Sequence, residues 1–410
     1  MKRTNLEAWI CQVEHLQQLT REDLDALQLR RLNALLQRLK ARGGIYEGLP
    51  DRLETLTQLP DLPFTTPRML AEHPGWFLTC SQSEVSRVIS GATSGTTGSA
   101  KRVFYTTGDT ENTVGFFAAG ISEMLSPGEK CYIGFPFSGP FGLGDLIAKA
   151  VEQLGGIPVR AGFGQSWEEA CSLLRREQPE TYIGFSVPLL GMARMYRGEF
   201  PIRRALLSGD ACPVGVMESL EQTLEGRLYP HYGSRETVLG GAVTCQAFEG
   251  MHLRENHIIA EIVDGNGRVL PDGEYGELVI TTIGMEAMPL LRYRTGDYTR
   301  ILRQPCPCGG VTRRLDRVSR KGPGPVSMED LDSALFRLNQ VVDFRAIRTD
   351  RLSLEVRACG PLTEAALRQK LQKWIPGLEA DLVIRQARME DRPMYPGKRY
   401  VMQPEGVKAL

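Results

Sequence analysis

The 410-residue sequence contains no run of 18 or more apolar residues, the length a helix needs to cross a bilayer, so no membrane span is expected. Its beginning, MKRTNLEAWICQVEH, lacks the uninterrupted apolar stretch of a secretory signal. Net charge is missing too: 49 Lys plus Arg balance 49 Asp plus Glu, which removes the global field that would recommend nucleic acid or an anionic lipid surface as a partner. Nine cysteines form an odd, scattered set rather than a disulfide framework, and reduced thiols in a cytoplasmic protein are expected. Internal repeats, low-complexity tracts and a Ser/His/Asp nucleophile set are all lacking.

What remains is globular in composition, with 42% hydrophobic, 24% charged and 7% aromatic residues. A single core stops growing near roughly 250 to 300 residues, so two or three domains are expected. Residues 1 to about 43 read helical, with Leu24, Leu27, Leu32, Leu35, Leu36 and Leu39 at three- and four-residue spacing and a capping arrangement at Thr20 and Asp23. From about 84 to 300, short strand-like runs alternate with helical stretches and Gly-rich turns, and the turn at 264–267 fits a β-meander. Gly/Pro-rich text between about 304 and 327 marks a boundary, beyond which the order reads helix, strand, strand, helix, strand.

The fold class expected is therefore α/β. A helical segment over 1–60 packs on a large mixed domain over 61–315, with layered sheets and a β-rich part. A hinge over 316–326 leads to a small mobile α+β domain over 327–410.

The strongest local feature is Ser94-Gly95-Thr96-Thr97-Gly98-Ser99-Ala100-Lys101, with strand-like text on both sides. Glycines let successive backbone N–H groups turn toward one anion, the threonine hydroxyls add neutral donors, and Lys101 supplies charge, so phosphate is the natural guest. The Walker pattern is not matched, and a strand rather than a helix is expected to follow.

Downstream lie Tyr232-Gly233-Ser234-Arg235-Glu236 and Tyr293-Arg294-Thr295-Gly296-Asp297. Together with the loop at 94–101, these motifs stand in the order and spacing of the adenylate-forming enzymes. The chain resembles that superfamily, and its residues 249–257, 259–264, 270–278 and 286–297 are similar to the phenylacetate-CoA ligase branch. The resemblance covers about residues 60 to 400.

The resemblance implies roles for individual positions. Residues 94–101 would hold the β- and γ-phosphates of ATP, Tyr232 would lie against the adenine, and His231 stands where the family has a short polar residue at the adenine amino edge. Ser208, Gly209 and Asp210 would run along the adenine edge, with Gly233 and Ser234 in the neighbouring turn. Glu236 would bind Mg²⁺, a hard cation suited to carboxylate oxygen, and Asp297 would accept hydrogen bonds from the ribose hydroxyls. Lys398, in a Gly-Lys near the C-terminus similar to the family's terminal motif, would neutralise charge as a carboxylate meets the α-phosphate. At the hinge this chain departs from the family: residues 318–326 are shorter and lack an acidic pair, leaving Asp316 or Lys321 as pivot candidates.

Cys306 and Cys308 form a tight thiol pair on a Gly/Pro loop. With Cys245 and His252 they make a Cys₃His set suited to structural Zn²⁺. Phe135, Pro136, Phe137 and Gly139 would shape a flat slot for an aryl ring. The expected function is ATP-dependent activation of an aryl or arylacetic acid to an acyl-adenylate, then transfer to coenzyme A. The alternatives are another acceptor, such as a carrier protein or a cofactor that receives AMP, and a non-catalytic nucleotide-binding relative. The expected partners are the small carboxylic acid, ATP and coenzyme A, with neither nucleic acid nor membrane; a homodimer is an analogy to relatives.

Overall fold

Thr4 and Thr20 each begin a helix by accepting a backbone hydrogen bond on the side-chain oxygen, Thr4 from Glu7 and Thr20 from Asp23. The first 43 residues, read as helical with a capping arrangement at Thr20 and Asp23, form two helices, Asn5–Val13 and Arg21–Arg42. His15, in the left-handed region at φ 56°, breaks the first before the Thr20/Asp23 capping box restarts the second. All six leucines read as the apolar stripe of the second helix are buried. A computed structural model describes residues 4–91, 101–139, 141–224, 227–320, 326–395 and 397–403. Among the described residues, no helix is long and apolar enough to cross a membrane.

The chain packs as two units, each made of two stretches of sequence: Met1–Glu123 with His231–Val318, and Met124–Pro230 with Ser319–Leu410. The cut after Val318 falls within the segment read as a hinge, of which Lys321 and the four residues after it lie outside the described residues.

In the first unit the strands Ile258–Val263, Gly276–Thr282 and Tyr293–Thr299 form an antiparallel meander. The turn at 264–267 is locked by Asp264 Oδ1, which accepts from Asn266 N at 2.8 Å and Arg268 N at 2.9 Å, with Gly267 at φ +82°. After the turn, Val269 forms a bridge to Val263, and Leu270 N donates to Ile262 O at 2.8 Å. Every residue of Gly276–Thr282 is buried, and Leu278 and Ile280 join Leu36, Leu70, Phe77, Tyr105 and Tyr293 in one core. Burying each such side chain contributes roughly 1.5–3 kcal/mol. The strands Arg87–Gly91 and Lys101–Tyr105 pair antiparallel, with Gly91 opposite Lys101. Ser94, Gly95, Thr96, Thr97 and Gly98, which fall between them in sequence, lie outside the described residues.

The second unit is built on a parallel sheet. Its order runs from Arg227–Tyr232 (residues 227–230) through Arg204–Leu207, Thr181–Gly184 and Lys130–Ile133 to Ile157–Arg160. The chain first steps outward from Lys130–Ile133 to Ile157–Arg160, then crosses back to Thr181–Gly184. The strand order therefore reverses between Lys130–Ile133 and Thr181–Gly184, and ligands of open α/β sheets bind at the carboxyl ends of strands at such a switch point.

The C-terminal stretch follows the order read from sequence: helix Met328–Leu335, strands Val341–Arg348 and Leu352–Ala358, helix Glu364–Trp374 and strand Ala380–Gln386. It shares one core with the parallel-sheet layer, where Leu335, Phe336 and Phe344 pack with Leu190 and Leu220. Arg194 adds a hydrogen bond of 2.6 Å to Phe336 O, and Ser219 Oγ donates to the same carbonyl at 2.7 Å.

Candidate active site and metal centre

In the first unit, the strand that ends at Tyr232 turns sharply at Gly233, where a Cβ would come within 2.2 Å of Leu239 O. The short 3₁₀ turn Arg235–Thr237 follows, closed by Val238 at φ 50° and Leu239 at φ 66°. A β-branched residue avoids that region, so neighbours must over-determine the turn. Tyr105 OH donates to Arg235 O at 2.6 Å, Thr113 Oγ1 to Val238 O at 2.7 Å and Leu239 N to Ser234 O at 2.8 Å.

This strained turn holds the buried carboxylate of Glu236. Its Oε1 accepts from Lys101 Nζ at 3.1 Å and from Tyr293 OH at 3.0 Å, while Lys101 also donates to the Tyr293 oxygen at 2.7 Å. Burial alone would raise this carboxyl, but Lys101, with help from the Tyr293 hydroxyl, holds it below the ordinary value. The triangle is thus an ionised carboxylate and an ammonium fixed at one point, the pairing that a phosphate-bound divalent cation and a phosphate require.

Asp297 sits on a bulge. Glu277 faces Tyr298 and Val279 faces Arg294, so Thr295, Gly296 and Asp297 are opposed by Leu278 alone. Gly296 takes φ +73° and donates to Glu277 Oε1 at 3.1 Å, and Thr295 Oγ1 donates to Leu278 O at 2.7 Å. The buried Asp297 carboxylate accepts from Tyr232 OH at 3.0 Å through Oδ2. His231 packs its ring against Phe116 and Phe117, with centroids 5.7 and 5.9 Å away, and burial pushes the imidazole down to about 4. It is neutral at pH 7.

The second unit gathers its candidate residues at the carboxyl ends of the parallel strands. Phe135 follows Lys130–Ile133, and its ring meets Phe185 edge-on at 4.9 Å. Gly209, after Arg204–Leu207, has φ +86°, and a Cβ there would lie 2.6 Å from Phe185 and 2.9 Å from Phe135. Only glycine fits. The segment from Pro136 to Gly139 is secured by Gly144 N, which donates to Pro136 O at 3.0 Å, and by Asp145, which accepts from Ser138 N at 3.2 Å. Arg160 pairs with Asp145 and lies 4.2 Å over the Phe137 ring. The stretch Gly397, Lys398, Arg399 meets the Ser208–Gly209–Asp210 turn: Arg399 N donates to Asp210 Oδ2 at 2.7 Å. Burial raises the Asp210 carboxyl; the Arg399 and Ala211 N–H groups and the charge of Lys398 oppose the rise. Lys398 itself is exposed.

The third cluster lies wholly in the first unit. One ligand atom from each of Cys245, His252, Cys306 and Cys308 falls within 4.8 Å of the other three. Cys245 Sγ and Cys306 Sγ are 3.7 Å apart, and Cys308 Sγ is 3.4 Å from His252 Nε2. Tetrahedral zinc with bonds of about 2.3 Å to sulfur and 2.0–2.1 Å to nitrogen would place its ligands about 3.5–3.8 Å apart, so the donor set fits the ion. Ala247 N and Gly310 N point at Cys245 Sγ and Cys308 Sγ at 3.4 and 3.3 Å, contacts that favour thiolate. His252 Nδ1 meets Thr312 Oγ1 at 2.8 Å, and Glu7 Oε1 accepts from Thr312 N at 2.8 Å and from its hydroxyl at 3.0 Å. An outer layer that orients the imidazole is therefore in place.

Several of these residues escape a reading from sequence. Tyr293 was visible only as the first letter of a motif, and Arg399 as the residue after a lysine. Tyr105, Thr113, Glu277 and Glu7 carry no local signal, because each acts on a segment distant in the chain.

The family model for AMP-binding enzymes matches residues 92–287. The phenylacetate-coenzyme A ligase of Thermus thermophilus is 31% identical, the match spanning 73% of this chain and 71% of that one. The phenylacetate-coenzyme A ligase of Escherichia coli is 27% identical across 86% and 83% of the two chains. A crystal structure of a 2-hydroxyisobutyryl-CoA ligase superimposes with a TM-score of 0.77 at 20% identity, covering 94% of this chain and 90% of that one, which shows the fold. The chain belongs to the phenylacetate-coenzyme A ligase family of AMP-binding enzymes.

Proposed function

We propose that the protein is an AMP-forming acid–thiol ligase acting on an aryl or arylacetic acid, ATP and coenzyme A. The observation that carries this reading is the fixed triangle of Lys101, Glu236 and Tyr293 in the same unit as the Tyr232–Asp297 pair, each on a family motif. A carboxylate is a poor electrophile until one of its oxygens becomes a good leaving group. In the first half-reaction a carboxylate oxygen attacks the α-phosphorus, the bond from that phosphorus to the bridging oxygen breaks, and pyrophosphate leaves. In the second, the thiolate of coenzyme A attacks the acyl carbon, the acyl C–O bond breaks and AMP departs, the thiol proton passing to solvent.

The protein's part is to position groups and neutralise charge. Glu236 would hold Mg²⁺, which offsets phosphate charge when bound, and Lys101 would face the same phosphates. Asp297, kept in place by Tyr232, accepts from the ribose hydroxyls. The neutral His231 can donate or accept one hydrogen bond at the adenine edge, with Gly233 and Ser234 shaping the turn beside it. Ser208, Gly209 and Asp210 serve the nucleotide, and Phe135, Pro136, Phe137 and Gly139 serve the acid. Lys398 supplies the cation where two anions meet. The names of the Thermus and Escherichia relatives support an arylacetic substrate. Cys245, His252, Cys306 and Cys308 would hold one structural Zn²⁺ with no part in the chemistry.

The test is product analysis by mass spectrometry after incubation with ATP, Mg²⁺, coenzyme A and a panel of aryl, arylacetic and short aliphatic acids. The expected result is one acyl-CoA and one AMP per ATP consumed, with an arylacetic acid preferred. AMP retained on a product, or acid-dependent turnover indifferent to coenzyme A, would replace this reading with transfer to another acceptor.

A further inference from the structure

Arg399 is an unusual anchor for a loop near a chain end. Its side chain is only 5% exposed, between two carboxylates exposed by 5% or less. Nε donates to Asp332 Oδ1 at 2.9 Å, one terminal nitrogen to Asp343 Oδ1 at 3.0 Å and the other to Phe344 O at 3.0 Å. The rings of Phe344 and Tyr395 stack over the guanidinium, their centroids 4.6 and 4.7 Å away. The flanks are tied as well: Met394 N donates to Asp343, and Met402 N to Ala346 O at 2.8 Å.

Acid exceeds base in this nest. Burial, reinforced by Asp210 and Asp343, pushes the Asp332 carboxyl up to about 7 although Arg399 pulls it down. A buried ion cluster of this kind is a poor way to gain stability, since apolar residues of similar volume do as well or better. Its value is geometric. A guanidinium that forks between Asp332 and Asp343 has one orientation, and its backbone N–H, in the peptide that links it to Lys398, is given to Asp210. The Lys398–Arg399 peptide is held from both sides while the Lys398 side chain is left exposed.

We propose that Arg399 is the positioning residue of Lys398, fixing the lysine for the attack on the α-phosphate without itself touching substrate. The proposal rests on Lys398 being the lysine of the adenylation step. Effects of groups that act as one unit are non-additive, whereas an independent structural anchor adds its loss to that of the lysine.

The experiment is ATP–pyrophosphate exchange with phenylacetate for wild type, Lys398→Ala, Arg399→Met, the double variant and Arg399→Lys. Lys398→Ala and Arg399→Met should each lower the maximal exchange rate about 10²- to 10³-fold with KM for ATP within about threefold, and the double variant should fall no further than Lys398→Ala alone. Arg399→Lys keeps the charge and should recover at least about tenfold over Arg399→Met. Additive losses, or a loss that appears in KM with the maximal rate kept, would overturn the proposal. If Arg399→Met does not fold by circular dichroism, the same cycle is read with Arg399→Lys. Full exchange in Lys398→Ala, or none in wild type, would remove the underlying reading and the proposal with it.

Discussion

Tyr232 gives its phenolic hydrogen to Asp297 across 3.0 Å, joining two motifs that lie 65 residues apart in the chain. One carboxylate oxygen is thereby committed and the carboxylate plane is fixed, which is what a two-hydroxyl sugar contact demands. A hydrogen bond to a charged group is worth about 1.5–3 kcal/mol, so Tyr232→Phe should raise KM for ATP about tenfold or more. Asp297→Ala removes the acceptor and should raise it by over about a hundredfold. Steady-state kinetics in ATP decide this, and an unchanged KM in Asp297→Ala would take the residue out of the nucleotide site.

Glu236 and Lys101 should prove coupled. Their side chains are 11% and 16% exposed, so removing one leaves the other charged and poorly solvated. Glu236→Gln and Lys101→Met should each lower acid-dependent pyrophosphate release by at least about 10²-fold, and the double variant by clearly less than the product of the two. The Mg²⁺ dependence of Glu236→Gln should move to higher concentration. Strictly multiplicative losses would argue that the pair seen here is incidental.

Metal analysis should find about one zinc per chain after desalting, on the Cys₃His set. Stripping the ion with a strong chelator should lower the melting temperature by about 5 °C or more, because the ion ties three separate segments together. Cys306→Ser and Cys308→Ser should each lose most of the bound metal. Full stability after complete removal of zinc would show that the thiols need no ion.

Acid should destabilise the protein before ordinary carboxylates titrate. His231 is pushed down to about 4 and His257 well below its usual value, both by burial, so the unfolded chain binds more protons than the folded one as pH falls below about 6.5. Stability is fully present above that pH and is lost on descending toward 4. His231→Gln should flatten the urea-midpoint profile between pH 6.5 and about 4.5, with up to roughly 3 kcal/mol at stake. An unchanged slope would contradict a buried neutral imidazole.

The order of the C-terminal elements was legible because apolar runs stand between turn residues; Leu352–Ala358 alternates buried and partly buried positions, whereas Val341–Arg348 is buried over its first four residues. The cluster of Cys245, His252, Cys306 and Cys308 was legible for another reason: cysteine and histidine announce by type that they could share one ion. What could not be read is pairing at a distance. Lys101 meets Glu236 135 positions away, and Glu7 reaches Thr312 across 305. Nor does periodicity reveal that residues 124–230 share a core with the C-terminal stretch, since an apolar helix face carries no mark of which surface will cover it. The break at His15 carried no signal of its own, whereas the restart at Thr20 and Asp23 was marked by their capping arrangement.

If a carboxylic acid is adenylated before any thiol is involved, labelled pyrophosphate exchanges into ATP in the complete absence of coenzyme A. That exchange should depend on an arylacetic acid and on Mg²⁺ and fall about 10²- to 10³-fold in Lys398→Ala. Exchange that occurs only when coenzyme A is present, or an ATP-binding protein that supports none with any acid, would contradict adenylation ahead of the thiol.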